Sequence, residues 1–273
     1  MPPAPEATPR RRLAPWLAAT ALAVFGCGSL PPRELPPAAT PAASPPATAA
    51  PAGRVVRAGG APAAERLLSR SATRVRAGSR TVEVLGRENA VRILEGRREV
   101  ARAPTGLQPA AVALLEAGRT VGVLSVRGRV LELFDARTLE RRGRANAGTG
   151  PAGVVSSGDN YLYVTDTTAG AVLIFRVAGG RLRLDRRYRL AGSPYAIDYD
   201  RVKRRLWVTL TATNELAELS AGRRPRELRR FASVRQPDDV AVGIGSRTGR
   251  VAVSGAAEDV VHLLDPPPLP RAR

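Results

Sequence analysis

Pro151-Ala152-Gly153-Val154-Val155, Tyr161-Leu162-Tyr163-Val164-Thr165, Ala171 to Val177 and Leu182 to Leu190 follow one another with only short polar breaks between them. The breaks are Gly158-Asp159-Asn160, Asp166-Thr167-Thr168-Ala169-Gly170 and Gly179-Gly180. Short runs rich in Val, Leu, Ile and Tyr, bounded by Gly, Asp and Asn, predict four strands of an antiparallel meander. The proline that opens this unit returns along the chain as Pro109, Pro151, Pro194 and Pro237, at spacings of 42, 43 and 43 residues. A further copy, Gly59-Gly60-Ala61-Pro62, stands 47 residues before Pro109. A period of this length means a closed or stacked array of small units that bury their apolar faces against one another.

The strands align across the copies. Second strands are Thr81 to Val84, Thr120 to Val123, Tyr161 to Thr165, Arg205 to Thr209 and Arg250 to Val253; third strands are Val91 to Leu94, Val130 to Phe134, Val172 to Phe175, Leu216 to Leu219 and Val260 to Leu264. Four strands per unit of this length is the signature of a β-propeller blade. The fifth unit has strands at Asp239 to Ile244, Val251 to Val253 and Val260 to Leu264, then stops at Asp265-Pro266-Pro267-Pro268 without an outer strand. Arg54-Val55-Val56-Arg57 supplies a strand at the other end of the chain. The expectation is therefore an all-β fold: a propeller of five four-stranded blades over residues 54–265, the last blade closed three-plus-one by that N-terminal strand. Such closure removes the exposed sheet edges of an open array. Ala63 to Gly78, where the first inner strand belongs, is long, Arg-rich and poorly alternating, and reads as partly helical.

Tyr163-Val164-Thr165-Asp166 resembles the tetrad that names the YVTN-type β-propeller repeat family, and Trp207-Val208-Thr209 is a looser copy. Pro151-Ala152-Gly153-Val154 and Pro194-Tyr195-Ala196-Ile197 are similar to that family's Pro-x-Gly-Val segment, and the NHL repeats are a more distant likeness. The resemblance implies a propeller and says little of function, because the motif residues are structural. Members of the family commonly show seven blades, so five is a departure.

Arg10-Arg11-Arg12 precede the apolar stretch Leu13 to Gly26, which is short for a bilayer-spanning helix of about 20 residues. Val24-Phe25-Gly26-Cys27 resembles a bacterial lipobox. Residues 1–26 are accordingly expected to be a signal peptide, with Cys27, the one cysteine, lipidated. Residues 27–53, rich in Pro and Ala, read as a semi-rigid tether reaching up to about 60–70 Å, and 266–273 as a Pro-rich tail. These segments predict an exported monomer held on the outer face of a membrane through a lipid.

The formal net charge is +19, and all 43 basic residues except Lys203 are arginine. An excess of this size raises affinity for anionic surfaces. The arginines gather in the outer strands: Arg141-Arg142-Gly143-Arg144, Arg181 to Arg189, Arg223-Arg224 and Arg226 to Arg230. Only Tyr188 and Phe231 are interleaved with them, which argues against a base-stacking nucleic-acid surface. The expected partners are the membrane, anionic envelope components or another envelope protein.

Little supports catalysis. His262 is the one histidine, and no serine beside it can be nominated from sequence. HExxH, paired CxxC and phosphate-binding glycine loops are all missing. Loops entering the inner strands share a face with loops joining second to third strands. That face should carry Tyr195, Asp238, Asp239, Asp166, Asn214, Asn89, Glu258 and Asp259. Their oxygens could ring a hard cation such as Ca²⁺, as in sugar-lactonase propellers; alternatively, Asp166, Asn214 and Asn89 are turn residues bonding their own backbone. Asp238-Asp239 stands out because the aligned pairs are Ala110-Ala111, Ala152-Gly153 and Tyr195-Ala196. The reading is a non-catalytic binding or scaffold module, with two alternatives: a metal-dependent hydrolase or lactonase, and an envelope binder of nucleic acid or anionic polymer.

Overall fold

The computed structural model describes residues 35–68, 72–243 and 249–269. Twenty strands form five antiparallel sheets of four. Blade 1 comprises β2 (Arg74–Ala77), β3 (Arg80–Leu85), β4 (Ala90–Glu95) and β5 (Arg98–Pro104). Blade 2 comprises β6 (Pro109–Leu115), β7 (Thr120–Ser125), β8 (Val130–Asp135) and β9 (Arg141–Asn146). Blade 3 follows with β10 (Pro151–Ser156), β11 (Tyr161–Asp166), β12 (Ala171–Ala178) and β13 (Arg181–Arg189). Blade 4 holds β14 (Pro194–Asp200), β15 (Arg205–Leu210), β16 (Glu215–Ser220) and β17 (Glu227–Ala232). Blade 5 holds β18 (Pro237–Val242), β19 (Val251–Gly255) and β20 (Val260–Leu264), and its outer strand is β1 (Arg54–Arg57). The fold is a five-bladed β-propeller with the expected three-plus-one closure: Arg54, Val55, Val56 and Arg57 lie opposite Leu263, His262, Val261 and Val260.

Period-two side-chain alternation explains why the second strands read as unbroken apolar runs: each blade is buried on both faces. Leu162 and Val164 join Leu124, Leu131 and Phe175 in the core between blades 2 and 3, while Tyr163 between them points into the core of blades 3 and 4. One blade further on, Leu206 and Val208 face back toward blade 3 and Trp207 faces blade 5. In blade 5, Val251 and Val253 face blade 4, but Ala252 between them meets Ala61 and Ala64. The small residue there makes room for a helix.

That helix, α1 (Pro62–Leu68), is where the repeat departs from its pattern. The aligned prolines open inner strands, whereas Pro62 occupies the first turn of a helix, where its fixed φ fits and its missing N–H costs nothing. The amides of Gly59 and Ala61 donate to Glu65 Oε1 at 2.7 and 3.2 Å, fixing this first turn. The first inner strand is displaced to Arg74–Ala77 and shortened to four residues.

A second repeat is invisible in sequence. The last residue of each turn joining second to third strand, Asn89, Arg129, Gly170, Asn214 or Asp259, has a left-handed φ of 50°, 54°, 57°, 55° or 50°. The carbonyl of each accepts an amide from just past an outer strand: Thr105, Ala147, Leu190, Ser233 and Ala58, at 2.8–3.1 Å. The fifth donor comes from the N-terminal strand, so the ring closes through the same bond that builds each blade.

Candidate functional site

The inner strands β6, β10, β14 and β18 pack side by side around the axis, with β2 beside β6. They line a cavity of about 410 Å³. Its wall is largely apolar, with Val112, Val154, Ile197 and Val240 among the lining. The carboxylates in it, Asp198, Asp200 and Asp239, come from blades 4 and 5, and Arg74, Arg76, Arg201 and Ser156 add further polar groups.

Asp198 and Asp239 are both held by backbone. Asp198 accepts the amide of Val242 across the blade interface at 2.7 Å, and its own neighbour's, Tyr199, also at 2.7 Å. Asp239 accepts the Val240 amide at 2.8 Å, and Asp238 accepts the Ser254 hydroxyl at 2.7 Å. Among the described residues neither Asp198 nor Asp239 forms an ion pair. Burial pushes Asp198 up to about 6; the two amides and Arg201 oppose the rise, and Asp200 adds to it. Asp239 is pushed up to about 7, again chiefly by burial, with the charges of Asp238 and Asp198 adding to it against the Val240 amide. Tyr195 on β14 is raised chiefly by burial, with the charges of Asp238 and Asp239 adding to the rise. Raised in this way, the Asp198 and Asp239 carboxyls hold protons more readily than free aspartates, and a cation beside them would favour their charged forms.

Of the expected residues Asp239 lines the cavity, and Asp198, which was not among them, lines it too. Asp198 had the same sequence signal as the Asp pair: the aligned inner-strand positions are Ala113, Val155 and Ala241.

The remaining expected residues serve the turns. Asp166 is fully buried and accepts from the Thr149 amide at 3.0 Å, the Thr149 hydroxyl at 3.2 Å, the Gly150 amide at 2.9 Å and the Ala169 amide at 3.2 Å. Gly148, at φ 108°, lies against it so closely that a Cβ would fall 2.2 Å from Asp166 Oδ2. Asn214 Oδ1 accepts the Gln236 amide at 3.0 Å and Asn89 Oδ1 that of Gln108 at 2.7 Å, stitching a turn to the next inner-strand entry. Glu258 and Asp259 stand exposed on the blade 5 turn. No group of three or more His, Cys, Asp or Glu among the described residues is arranged to hold a metal ion.

The Pro/Ala-rich segment touches these turns too. Ala42 N donates to Thr211 Oγ1 at 3.0 Å, Asn214 Nδ2 donates to the Pro45 carbonyl at 2.9 Å, and Gln236 Nε2 to the Ala42 carbonyl at 3.2 Å. Ala38 packs on the core of blades 2 and 3, and Ala52 on that of blades 4 and 5. An extended proline-rich chain makes no internal hydrogen bonds, so its carbonyls are open to such side-chain donors. Cys27 and residues 1–34 lie outside the described residues.

His262 ties this segment down. Its Nε2–H donates to the Ala52 carbonyl, which leaves Nδ1 to accept the Ser233 hydroxyl at 3.0 Å. Ser233 is the neighbour that sequence could not nominate, 29 residues away. Both side chains are buried, the serine meets the wrong ring nitrogen for activation by a carboxylate-oriented histidine, and burial lowers the imidazole pKa against the Ala52 bond. The pair is a neutral structural clasp.

No family model matches the chain, and no curated protein matches it in sequence. Solved structures do resemble it in fold. A functionally unknown protein from Desulfotomaculum acetoxidans superposes with a TM-score of 0.58 at 15% identity, over 65% of this chain and 59% of that one. The dihydro-heme d1 dehydrogenase NirN gives 0.56 at 18%, over 77% and 49%. The WD40 domain of Toxoplasma gondii coronin gives 0.56 at 11%, over 71% and 56%. The chain spans about half to three fifths of each. At such identities the likeness defines the class, a β-propeller, and nothing finer.

Proposed function

We propose that this propeller is a non-catalytic binding module that takes a small cationic ligand between blades 4 and 5. The observation that carries the reading is the pair Asp198 and Asp239, set in a channel of about 410 Å³ without an ion pair among the described residues. Half-buried acids with no ion-pair partner weaken a fold, so their presence at otherwise apolar aligned positions fits recognition. We further propose that the chain belongs with the YVTN-type repeats and is exported as a lipoprotein anchored at Cys27. The anchor is tested by Cys27→Ser, expected to move the protein from the membrane to the soluble fraction.

The channel is tested by thermal shift of the full chain with Ca²⁺ and with putrescine at pH 6 and pH 8. Stabilisation is expected at pH 8, weaker at pH 6 where Asp239 is mostly and Asp198 about half protonated, and lost in Asp198→Asn/Asp239→Asn. No shift from either probe at pH 8 would remove the channel from consideration.

A further inference from the structure

The outer edge of blade 3 carries Arg176, Arg181, Arg183, Arg186, Arg187 and Arg189, all exposed. Among the described residues none of these six forms an ion pair or a side-chain hydrogen bond. Blade 1 is equally rich in arginine, yet Arg92 pairs with Glu83 and Glu99, Arg98 with Glu95, and Arg102 with Glu88 and Glu99. The difference is the missing counter-charge. Asp185 is the one carboxylate on β13, and Arg223 of blade 4 claims it through both oxygens, at 2.7 and 3.3 Å.

The register makes the arrangement costly as it stands. Arg176 lies directly opposite Arg183 on neighbouring strands, and a cross-strand pair of like charges is destabilising. Asp185 is held below its ordinary pKa by its hydrogen bond to Arg223 first, with the charges of Arg223, Arg186 and Arg176 acting in the same direction against its desolvation, so one carboxylate answers several cations. An anion arriving from solvent would relieve that repulsion.

We propose that this edge is a docking ridge for a linear phosphate-bearing polyanion, independent of the channel. The shape of the ridge selects the partner. Nine residues of extended chain span about 30 Å. The arginines point to both sides of the sheet: Arg187 and Arg189 lie opposite Leu173 and Ala171, which face blade 2, whereas Arg186 lies opposite Ile174, which faces blade 4. A flat bilayer meets one side of such a ridge; a flexible polymer follows both. Planar guanidinium forks suit phosphate oxygens. Base stacking has no platform here, because Tyr188 packs into the core of blades 3 and 4 and its hydroxyl accepts the Glu227 amide at 3.1 Å.

The test measures binding of the full chain to fluorescent inorganic polyphosphate across a salt series, beside phosphatidylglycerol vesicles and an oligothymidine. The variant Arg176→Gln/Arg183→Gln/Arg186→Gln is compared with Arg92→Gln/Arg98→Gln/Arg102→Gln, which removes the same charge from blade 1. The blade 3 variant should lose at least about tenfold in polyphosphate affinity, and its slope of log K against log salt should shrink by about two. The blade 1 variant should lose less than about threefold. Equal losses in the two would mean that net charge alone attracts the polymer, and would overturn the ridge. Tighter binding of the vesicles or the oligothymidine, lost in the blade 3 variant, would overturn the choice of partner.

Discussion

Carboxylates at the hub and at the rim of this propeller live in opposite electrostatic worlds. At the hub, Asp198 and Asp239 are pushed up by burial to about 6 and about 7. Toward the rim, Glu83 is held below its ordinary range by Arg74 first and then Arg92, against the effect of its burial, and Asp265 is lowered by Arg250. The supply of arginine does not explain the contrast, since Arg201 reaches the hub and opposes the rise of Asp198. Partnership explains it. A paired acid stabilises the blade that carries it, whereas a half-buried acid without an ion pair weakens the fold and is available to something outside the chain.

The comparison is broken most forcefully at Glu218, a rim-side acid that is also buried. Its side chain is 2% exposed, with Arg229 at 2.5 Å and Arg205 at 3.5 Å. Glu218→Ala strands both cations and should cost about 2–4 kcal/mol in urea unfolding. A loss under about 1 kcal/mol would mean that buried pairing contributes little here.

A smaller effect with a diagnostic sign is expected at the hub. Because the folded pKa of Asp239 is raised, the folded state holds a proton that the unfolded chain has released between about pH 4 and pH 7. Its contribution to stability therefore falls as pH rises through that window and is least favourable above pH 7. Asp239→Asn keeps the oxygen that accepts the Val240 amide, and should stabilise the protein by about 1–2 kcal/mol at pH 8 with little change at pH 4. Paired Glu83 has the opposite sign, its stabilisation being lost as pH falls through its lowered folded pKa. Equal effects of Asp239→Asn at the two pH values would erase the distinction between hub and rim. The Ser233–His262 clasp, buried but uncharged, lies between these cases. Ser233→Ala removes one hydroxyl donor and should cost about 1 kcal/mol by the same urea measurement.

The blades were legible in sequence because each needs a strand pattern, turn residues and a fixed period, and all three repeat. Even the closing strand at Arg54–Arg57 could be placed, since an unfinished fifth blade leaves one strand to find. Pro62 marks where the repeat breaks: proline opens a helix as readily as it enters a strand, and the poorly alternating run from Ala63 to Gly78 reads as partly helical, in keeping with α1. At the hub, Asp238 and Asp239 were visible as departures from the aligned alanines and glycine. Asp198 satisfies the same test four residues beyond its repeat proline, against Ala113, Val155 and Ala241. A turn Asp or Asn that caps backbone amides looks in sequence like one that awaits a ligand, and Asp166, Asn214 and Asn89 do bond backbone amides. Contacts such as Asn214 to the Pro45 carbonyl leave no trace in sequence, because every residue offers a carbonyl.

The smallest effect is expected at Arg98, and its smallness carries the argument. Glu95 is already bound by Arg80, whose Nε donates at 2.7 Å; Arg98 approaches only to 3.4 Å with its side chain 79% exposed. It adds a second cation to an acid that has one, in full contact with water and salt. Arg98→Gln should change stability by less than about 0.3 kcal/mol, with no dependence on ionic strength beyond that of the native chain. A measurable salt-sensitive loss would show that the blade 1 arginines act as a coupled network rather than as separate neutralised pairs. The contrast with the uncompensated edge of blade 3 would then rest on cooperativity among charges, and no longer on the presence or absence of glutamate partners.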